Sequence, residues 1–273
     1  MTVPYQRIHV VINPASGKDE PILNTLNHVF GQYGVEWSVS VNHKNVDATE
    51  QAKAAVARGV DLVAGYGGDG TQHEIANAVL GTDAVMGILP GGTGNGFARE
   101  MSIPKTLAPA LELLCTSAKT RQIDVAQVDG QFFIQRLYVG IEPEEQTSRE
   151  MKDKYGVFAY AISLKQQTKH AKPVKYRVHI DGADLEFHAT KAYVINSGMM
   201  GTVLSITKNY AIDDGLLDAF VLDTQDLATI KAAAQRFLHL NTNTASRFYR
   251  QGQKLTIETE PDQPVWTDGE YMG

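Results

Sequence analysis

Residues 60–81, VDLVAGYGGDGTQHEIANAVLG, change period partway through. Val60 to Gly65 is a short, nearly continuous apolar run, the pattern of a strand buried on both faces. Thr71 to Gly81 repeats its apolar residues at helical spacing. Between them, Gly65 to Gly70 hold four glycines and one aspartate in six residues. A strand that feeds a helix through bare backbone constrains the chain strongly. It calls for parallel neighbours, helices on the faces, and a loop of open N–H groups at the strand's carboxyl end.

The neighbouring segments fit that demand. Arg7–Pro14 (RIHVVINP), Glu36–Asn42 (EWSVSVN) and Ala84–Pro90 (AVMGILP) read as strands. Pro21–Gly34 and Asp47–Gly59 read as helices, with Asp47 placed to cap the second and Gly59 to stop it. The order β-α-β-α-β-α-β predicts an α/β domain with a doubly wound, mostly parallel sheet over residues 1–120. From residue 121 the pattern turns to strands paired around Asp129-Gly130 and Asp181-Gly182. Further strands read at Leu216–Thr224, Lys254–Glu260 and Pro264–Glu270, with helical signals only at Gly156–His170 and Asp226–Leu240. Residues 121–273 are expected to form a β-rich domain.

Totals exclude several classes. The chain has 273 residues, 43% hydrophobic and 21% charged, with net charge −6, which argues against nucleic acid as a partner. A single cysteine, Cys115, excludes an intrachain disulfide. The N-terminus lacks a signal-peptide pattern and no apolar window reaches 18 residues, so a cytoplasmic protein is expected. Residues 149–177 carry eight Lys/Arg against two acids, net +6, leaving −12 for the rest. That cluster reads either as a solvated face or as a patch for anionic lipid. The stripe Phe158, Tyr160, Ile162 and Leu164 beside it reads as core or as a membrane-facing segment.

Gly65, Gly67 and Gly70 satisfy the dinucleotide spacing G-x-G-x-x-G. The position argues otherwise. A dinucleotide fingerprint belongs on the first strand, this one follows roughly the third, and no acidic residue ends the next strand. Asp69 would repel a phosphate unless a cation lay between them, and Mg²⁺ in phosphoryl transfer meets that need. The alternative is that Asp69 caps the following helix. Two more loops follow strands on the same edge: Asn13–Lys18 (NPASGK) and Pro90–Arg99 (PGGTGNGFAR). The first is no Walker motif, since Asp19 follows Lys18 where Ser or Thr should stand.

Together, NPASGK, GGDGTQHE and PGGTGNGFAR resemble the catalytic-domain family of diacylglycerol and sphingosine kinases, nearest to its bacterial soluble lipid kinases. YAIDDGLLD (Tyr210–Asp218) and DGE (Asp268–Glu270) extend the resemblance to residue 270. It implies an α/β nucleotide-binding domain, a β-sandwich domain, and an active site in the cleft. It also implies transfer of the γ-phosphoryl of ATP, with Mg²⁺, to the hydroxyl of a membrane lipid such as diacylglycerol. By this resemblance Asn13, Pro14, Ala15, Ser16, Gly17, Lys18 and Asn42 bind ATP, as do Gly68, Asp69, Gly70, Thr71, Gln72, His73, Glu74, Gly92, Thr93 and Asn95. Asp69 lies near the catalytic Mg²⁺. Glu270 is the general base with Asp268 beside it, which suits a hydroxyl acceptor that must lose a proton. Ala211, Asp214 and Leu216 hold a structural Mg²⁺, an exposed turn without metal being the alternative, and Asp124 matches an acidic position near the junction. The implied setting is peripheral, at the inner membrane face, with the lipid as partner and a homodimer as a further option.

This chain departs from the family at Gly96, where an aspartate usually follows the asparagine, and at IEPEEQTSRE (Ile141–Glu150), which matches nothing. Glu270 lies three residues from Gly273, so the DGE segment is expected to fray for want of a following strand. Trp266 reads as a core anchor, and His73 as a polar residue of the helix start. An NAD kinase-like enzyme, which shares GGDGT, and a nucleotide-binding regulatory protein without turnover are the competing readings.

Overall fold

The computed structural model describes residues 3–16, 19–42, 47–140, 172–197, 199–200, 204–205, 211–222 and 249–273. The helical signals at 156–170 and 226–240, and the Phe158–Leu164 stripe, lie outside these residues. Two compact units divide the chain: Met1–Ile123 with Asp129–Ile134, and Asp124–Val128 with Gln135–Gly273.

The first unit is built on strands β1 (Arg7–Ile12), β2 (Glu36–Val41), β3 (Leu62–Gly67) and β4 (Val85–Pro90). All pair in parallel, in the order β2-β1-β3-β4. Alternation along the strands sorts side chains to two cores. Ile8, Val10, Ile12, Leu62 and Ala64 pack under helix α1 (Ile22–Tyr33). Val11 and Val63 pack under α2 (Ala48–Ala57) and α3 (Asp69–Val79), mainly through the small residues Ala48, Ala52, Ala55 and Ala78. Helices on both faces make the sheet doubly wound, as expected. Asp47 caps α2 by accepting from the Thr49 N–H at 2.9 Å, and α1 ends at Gly34 with φ 69°.

Two helices were not anticipated. Short α4 (Gly96–Glu100) closes the second glycine loop, and α5 (Leu107–Thr116) packs against α1. The spacing of Leu107, Ala110, Leu111, Leu114 and Cys115 carries the helical period of α5, and Pro109 sits in its first turn, where it is tolerated. Helix α3 also starts two residues earlier than the sequence suggested, at Asp69.

The Asp129–Gly130 turn, with positive φ at both residues, joins β5 (Ala126–Val128) to β6 (Gln131–Phe133). The second unit continues with β7 (Arg136–Gly140), β8 (Val174–Ile180), β9 (Ala183–Ala189) and β10 (Lys191–Ile195). A small ribbon, β11 (Met199–Met200) with β12 (Leu204–Ser205), precedes β13 (Leu217–Leu222). The last strands are β14 (Tyr249–Gly252), β15 (Leu255–Glu260), β16 (Val265–Thr267) and β17 (Glu270–Tyr271). An antiparallel sheet of order β14-β13-β10-β7-β16-β17 lies beside a three-stranded one of order β15-β8-β9. The Tyr176 hydroxyl of β8 donates to the Val139 carbonyl of β7 at 3.1 Å, fastening one sheet to the other.

Across the larger sheet, Phe220, Tyr193, Tyr138, Trp266 and Tyr271 stand in direct register, one per strand. Their rings lie 4.9–6.1 Å apart in sequence of contact. Such cross-strand aromatic pairs fix register as well as adding stability. Trp266 is thus a core anchor, stacked on Tyr138. Lys191 is buried here with its ammonium 4.3 Å from the Tyr138 ring centre, and burial pulls its pKa down to about 8.

Candidate active site

The order β2-β1-β3-β4 reverses direction between β1 and β3, so the crevice beyond their carboxyl ends is a topological switch point. The loops from residues 13 and 68 leave from that place, and they are tied across it. The Asn13 N–H donates to the Tyr66 carbonyl at 2.9 Å, and the Asn13 side chain donates to the Thr71 hydroxyl at 3.0 Å. Pro14, Ala15 and Ser16 form a 3-10 turn, with the Ala15 N–H on the Asn13 side-chain oxygen at 3.0 Å. Gly17 and Lys18 lie outside the described residues.

The two glycine loops touch backbone to backbone. A Cβ on Gly92 would lie 2.5 Å from the Gly68 Cα, so no side chain fits there. Asn95, at φ 47°, closes its own loop by accepting from the Gly92 N–H and donating to the Gly92 carbonyl, at 3.0 and 2.6 Å. Thr93 is exposed at the tip.

Asp69 joins the two loops. Its Oδ2 accepts from the Gly96 N–H at 3.1 Å and its Oδ1 from the Phe97 N–H at 2.9 Å. Helix α3 has Gly68 at its N-cap, so Asp69 does not cap its own helix. It holds the first amides of α4 instead. Each carboxylate oxygen accepts one of these bonds and keeps a second lone pair, so the group still suits a hard cation. The position noted as a departure, Gly96, therefore supplies a backbone donor to Asp69, which sequence reading did not foresee.

Among the other anticipated residues, Gly70 is exposed with open space around its Cα, and geometry leaves the N–H groups of Asp69, Gly70 and Thr71 without an intrahelical acceptor. Gln72 is turned to the strand: it is 2% exposed and donates to the Gly65 carbonyl at 2.9 Å. His73 is buried and pairs with the Asn77 amide at 3.1 Å, and the Glu74 carbonyl takes the Thr49 hydroxyl at 3.3 Å. The Gln72 and His73 side chains are thus engaged within the fold.

Ser16 Oγ and Asn42 Oδ1 are two of the nine buried side-chain polar atoms without a protein partner among the described residues. Both belong to loops that leave the carboxyl ends of β1 and β2, and the Asn42 N–H donates to the Ile12 carbonyl at 2.7 Å. An orphaned hydroxyl and an orphaned carbonyl on loops at the carboxyl edge of the sheet fit a nucleotide, which carries phosphate acceptors and ribose or base donors.

In the second unit, Asp124 gathers the turn expected to hold metal. Its Oδ2 accepts from the Gly215 N–H at 2.6 Å, and its N–H donates to the Ile212 carbonyl at 2.7 Å. Asp214 Oδ1 accepts from the Leu216 N–H at 3.0 Å. With the carbonyls of Ala211 and Leu216 this is an all-oxygen donor set, the kind Mg²⁺ prefers. Among the described residues, no three His, Cys, Asp or Glu side chains come together to hold an ion, so a metal here would lean on backbone oxygens.

Asp268 and Gly269, at φ 47° and 99°, turn β16 into β17. Asp268 is 8% exposed, and its Oδ1 accepts from the N–H groups of Gln135 and Arg136 at 3.0 and 2.8 Å. Glu270, by contrast, is exposed on the edge strand opposite Thr267. The segment does not fray as expected. It is held by β17 pairing and by the Val265 N–H on the Gly273 carbonyl at 2.8 Å.

Only part of the basic cluster is described. Lys175 pairs with Glu186 at 2.8 Å, and Arg177 lies 3.5–3.9 Å from Glu186, Glu258 and Glu260. This end is a charge-balanced sheet face. Arg149, Lys152, Lys154, Lys165 and Lys169 lie outside the described residues. No helix among the described residues is long and apolar enough to cross a membrane.

Comparison with known proteins agrees with this geometry. Residues 7–128 match the diacylglycerol kinase catalytic domain, and residues 136–273 match the YegS C-terminal NAD kinase beta sandwich-like domain. A diacylglycerol kinase of Bacillus subtilis (strain 168) is 26% identical over 275 residues, 98% of this chain and 91% of that protein. One from Staphylococcus aureus (strain bovine RF122 / ET3-1) is 26% identical over 277 residues, 98% and 87%. The crystal structure of a diacylglycerol kinase from Bacillus anthracis str. Sterne superposes with a TM-score of 0.76 at 27% identity, covering 97% of this chain and 90% of that one. An α/β unit whose three loops converge on a switch point, a β-sandwich unit after it, and matches along nearly the whole length lead to one conclusion: the chain belongs to the diacylglycerol kinase catalytic-domain family, alongside bacterial relatives.

Proposed function

We propose that this protein transfers the γ-phosphoryl group of ATP, with Mg²⁺, to the hydroxyl of a membrane lipid such as diacylglycerol. The observation that carries the reading is the fastening of three loops at the carboxyl edge of the sheet by Asn13–Thr71 and Asp69–Gly96/Phe97, supported by the unpartnered oxygens Ser16 Oγ and Asn42 Oδ1 on loops at that edge. In this reading the loops hold the triphosphate through backbone N–H groups, and Asn42 meets the nucleoside. Mg²⁺ would neutralise charge on the phosphates, and Asp69 keeps the lone pairs to hold it.

Glu270 then takes the proton of the lipid hydroxyl. Its exposure leaves it reachable, and Asp268 positions it by pinning the turn two residues before. The turn at Ala211–Leu216 with Asp124 would hold a second, structural Mg²⁺. The enzyme would work peripherally at the inner membrane face. Lys175 and Arg177 are already paired with glutamates, so the lipid contact would use Lys172 and the basic residues before it.

The test is direct. Purified protein, labelled ATP, Mg²⁺ and mixed lipid vesicles should yield a phosphorylated lipid, and the product should vanish in Glu270→Gln and Asp69→Asn. Transfer that survives both changes would overturn the mechanism. Phosphorylation of NAD instead of lipid, or ATP binding with no transfer, would replace the function.

A further inference from the structure

Tyr66 stands inside the glycine run, where its size is out of place among GYGGDG. It is 1% exposed, and it touches each loop of the candidate site. Its carbonyl accepts the Asn13 N–H, holding the start of the first loop at 2.9 Å. Its hydroxyl donates to Glu20 Oε1 at 2.5 Å, holding the end of that loop. Its ring lies against the second glycine loop: a Cβ on Gly91 would fall 2.8 Å from ring Cε1.

We propose that Tyr66 is a positioning residue, and that its carbonyl and its bond to Glu20 hold Asn13 and Glu20 in the placement that accepts ATP. The inference rests on the nucleotide reading above. Two chain segments held to one buried residue, Asn13 by its carbonyl and Glu20 by its hydroxyl, lose little further freedom when ligand binds, so the latch acts on affinity. Burial, and then the Glu20 contact, raise the Tyr66 pKa, so the hydroxyl keeps its proton and donates across the neutral range.

The experiment uses the full chain and reads the ATP Kd by calorimetry, without lipid, beside steady-state kinetics with diacylglycerol vesicles. Tyr66→Phe removes the hydroxyl and keeps the ring. It should weaken ATP binding about tenfold, the size of one hydrogen bond to a charged group, with kcat at saturating ATP and KM for lipid nearly unchanged. Glu20→Ala should match it, the double variant should be no worse than either single one, and Glu20→Gln, which still accepts the hydroxyl, should restore near-wild-type affinity. An unchanged Kd in Tyr66→Phe, with or without a lower Tm, overturns the latch, and so do additive losses in the double variant. Wild type that binds ATP but phosphorylates no lipid would remove the lipid-kinase reading and leave the latch intact. Wild type that binds no ATP would remove both.

Discussion

Each unit carries an Asp-Gly step at its candidate chemistry, and the two steps are built differently. Asp69-Gly70 opens a helix with ordinary backbone angles, and Asp69 spreads two accepted N–H bonds over both oxygens. Asp268-Gly269 makes a hairpin turn with positive φ at both residues, and Asp268 takes two N–H bonds on one oxygen. The first aspartate joins two loops that would hold a donor. The second sets the direction of the strand that presents Glu270. The same dipeptide therefore joins two loops in one unit and sets turn geometry in the other.

The sharpest separation of the two is kinetic. Glu270→Gln removes the proton acceptor and leaves the hairpin, whose turn depends on Asp268 and Gly269. Loss of a general base lowers kcat by roughly 10²–10⁴-fold. The ATP Kd should stay within about twofold, since the residue belongs to the acceptor side in our reading. A large change in ATP affinity would contradict the division of labour between the units.

Next in size is an acid effect confined to the first unit. His9 lies in β1, the strand that ends at Asn13, and is 2% exposed between the hydroxyls of Ser38 and Ser40 at 2.8 and 2.9 Å. Burial, and then the Arg58 charge, lower its pKa from the ordinary 6.5 to about 4. The unfolded chain binds the proton more readily, so the stabilisation is complete above about pH 6.5 and is lost as pH falls toward 4. The full loss is on the order of 3 kcal/mol. Urea unfolding of wild type and His9→Gln should show their gap closing by that order between pH 6.5 and 4. A constant gap would show that His9 takes up its proton as readily in the fold as in the unfolded chain.

Much of this was legible in the sequence because period and punctuation agree. Apolar runs such as Val60–Gly65 gave the parallel sheet, and Asp129-Gly130 and Asp181-Gly182 gave the hairpin turns, with φ 43° and 88° at the latter pair. Helix α5 is legible in the same way, from its Leu107–Cys115 spacing. What could not be read are bonds between a side chain and distant backbone. The Asp69 contacts span 27 and 28 residues, and those of Asp268 span 133 and 132. Backbone N–H groups exist at every residue but proline, so no residue type marks which carboxylate they meet. For the same reason the sequence does not show that Gln72 and His73, implied by the resemblance to bind ATP, are bonded to Gly65 and Asn77.

A smaller effect tests how Asp69 joins the loops. Asparagine there offers one oxygen and one NH₂ group. The NH₂ would face either the Gly96 or the Phe97 N–H, leaving a donor unsatisfied. Asp69→Asn should therefore lower stability by about 1–3 kcal/mol, measured by denaturant midpoint at unchanged slope, besides abolishing transfer. Stability equal to wild type would mean that those bonds carry nothing.

The smallest expected effects are of opposite sign. Gly269 sits at φ 99°, where a Cβ strains the backbone, so Gly269→Ala should destabilise by about 1 kcal/mol or more. Gly70 lies in the first turn of α3 with no heavy atom within 4 Å of a Cβ. Alanine there removes freedom from the unfolded chain and should stabilise by roughly 0.4–1 kcal/mol. The same methyl would stand among the open N–H groups of the helix start, so Gly70→Ala should raise Tm while weakening ATP binding. Gly269→Ala should lower Tm and leave ATP binding alone. Paired thermal melts and calorimetry on the two variants read all four signs, and a Gly70→Ala protein that gains stability and keeps its ATP affinity would move the nucleotide away from this loop.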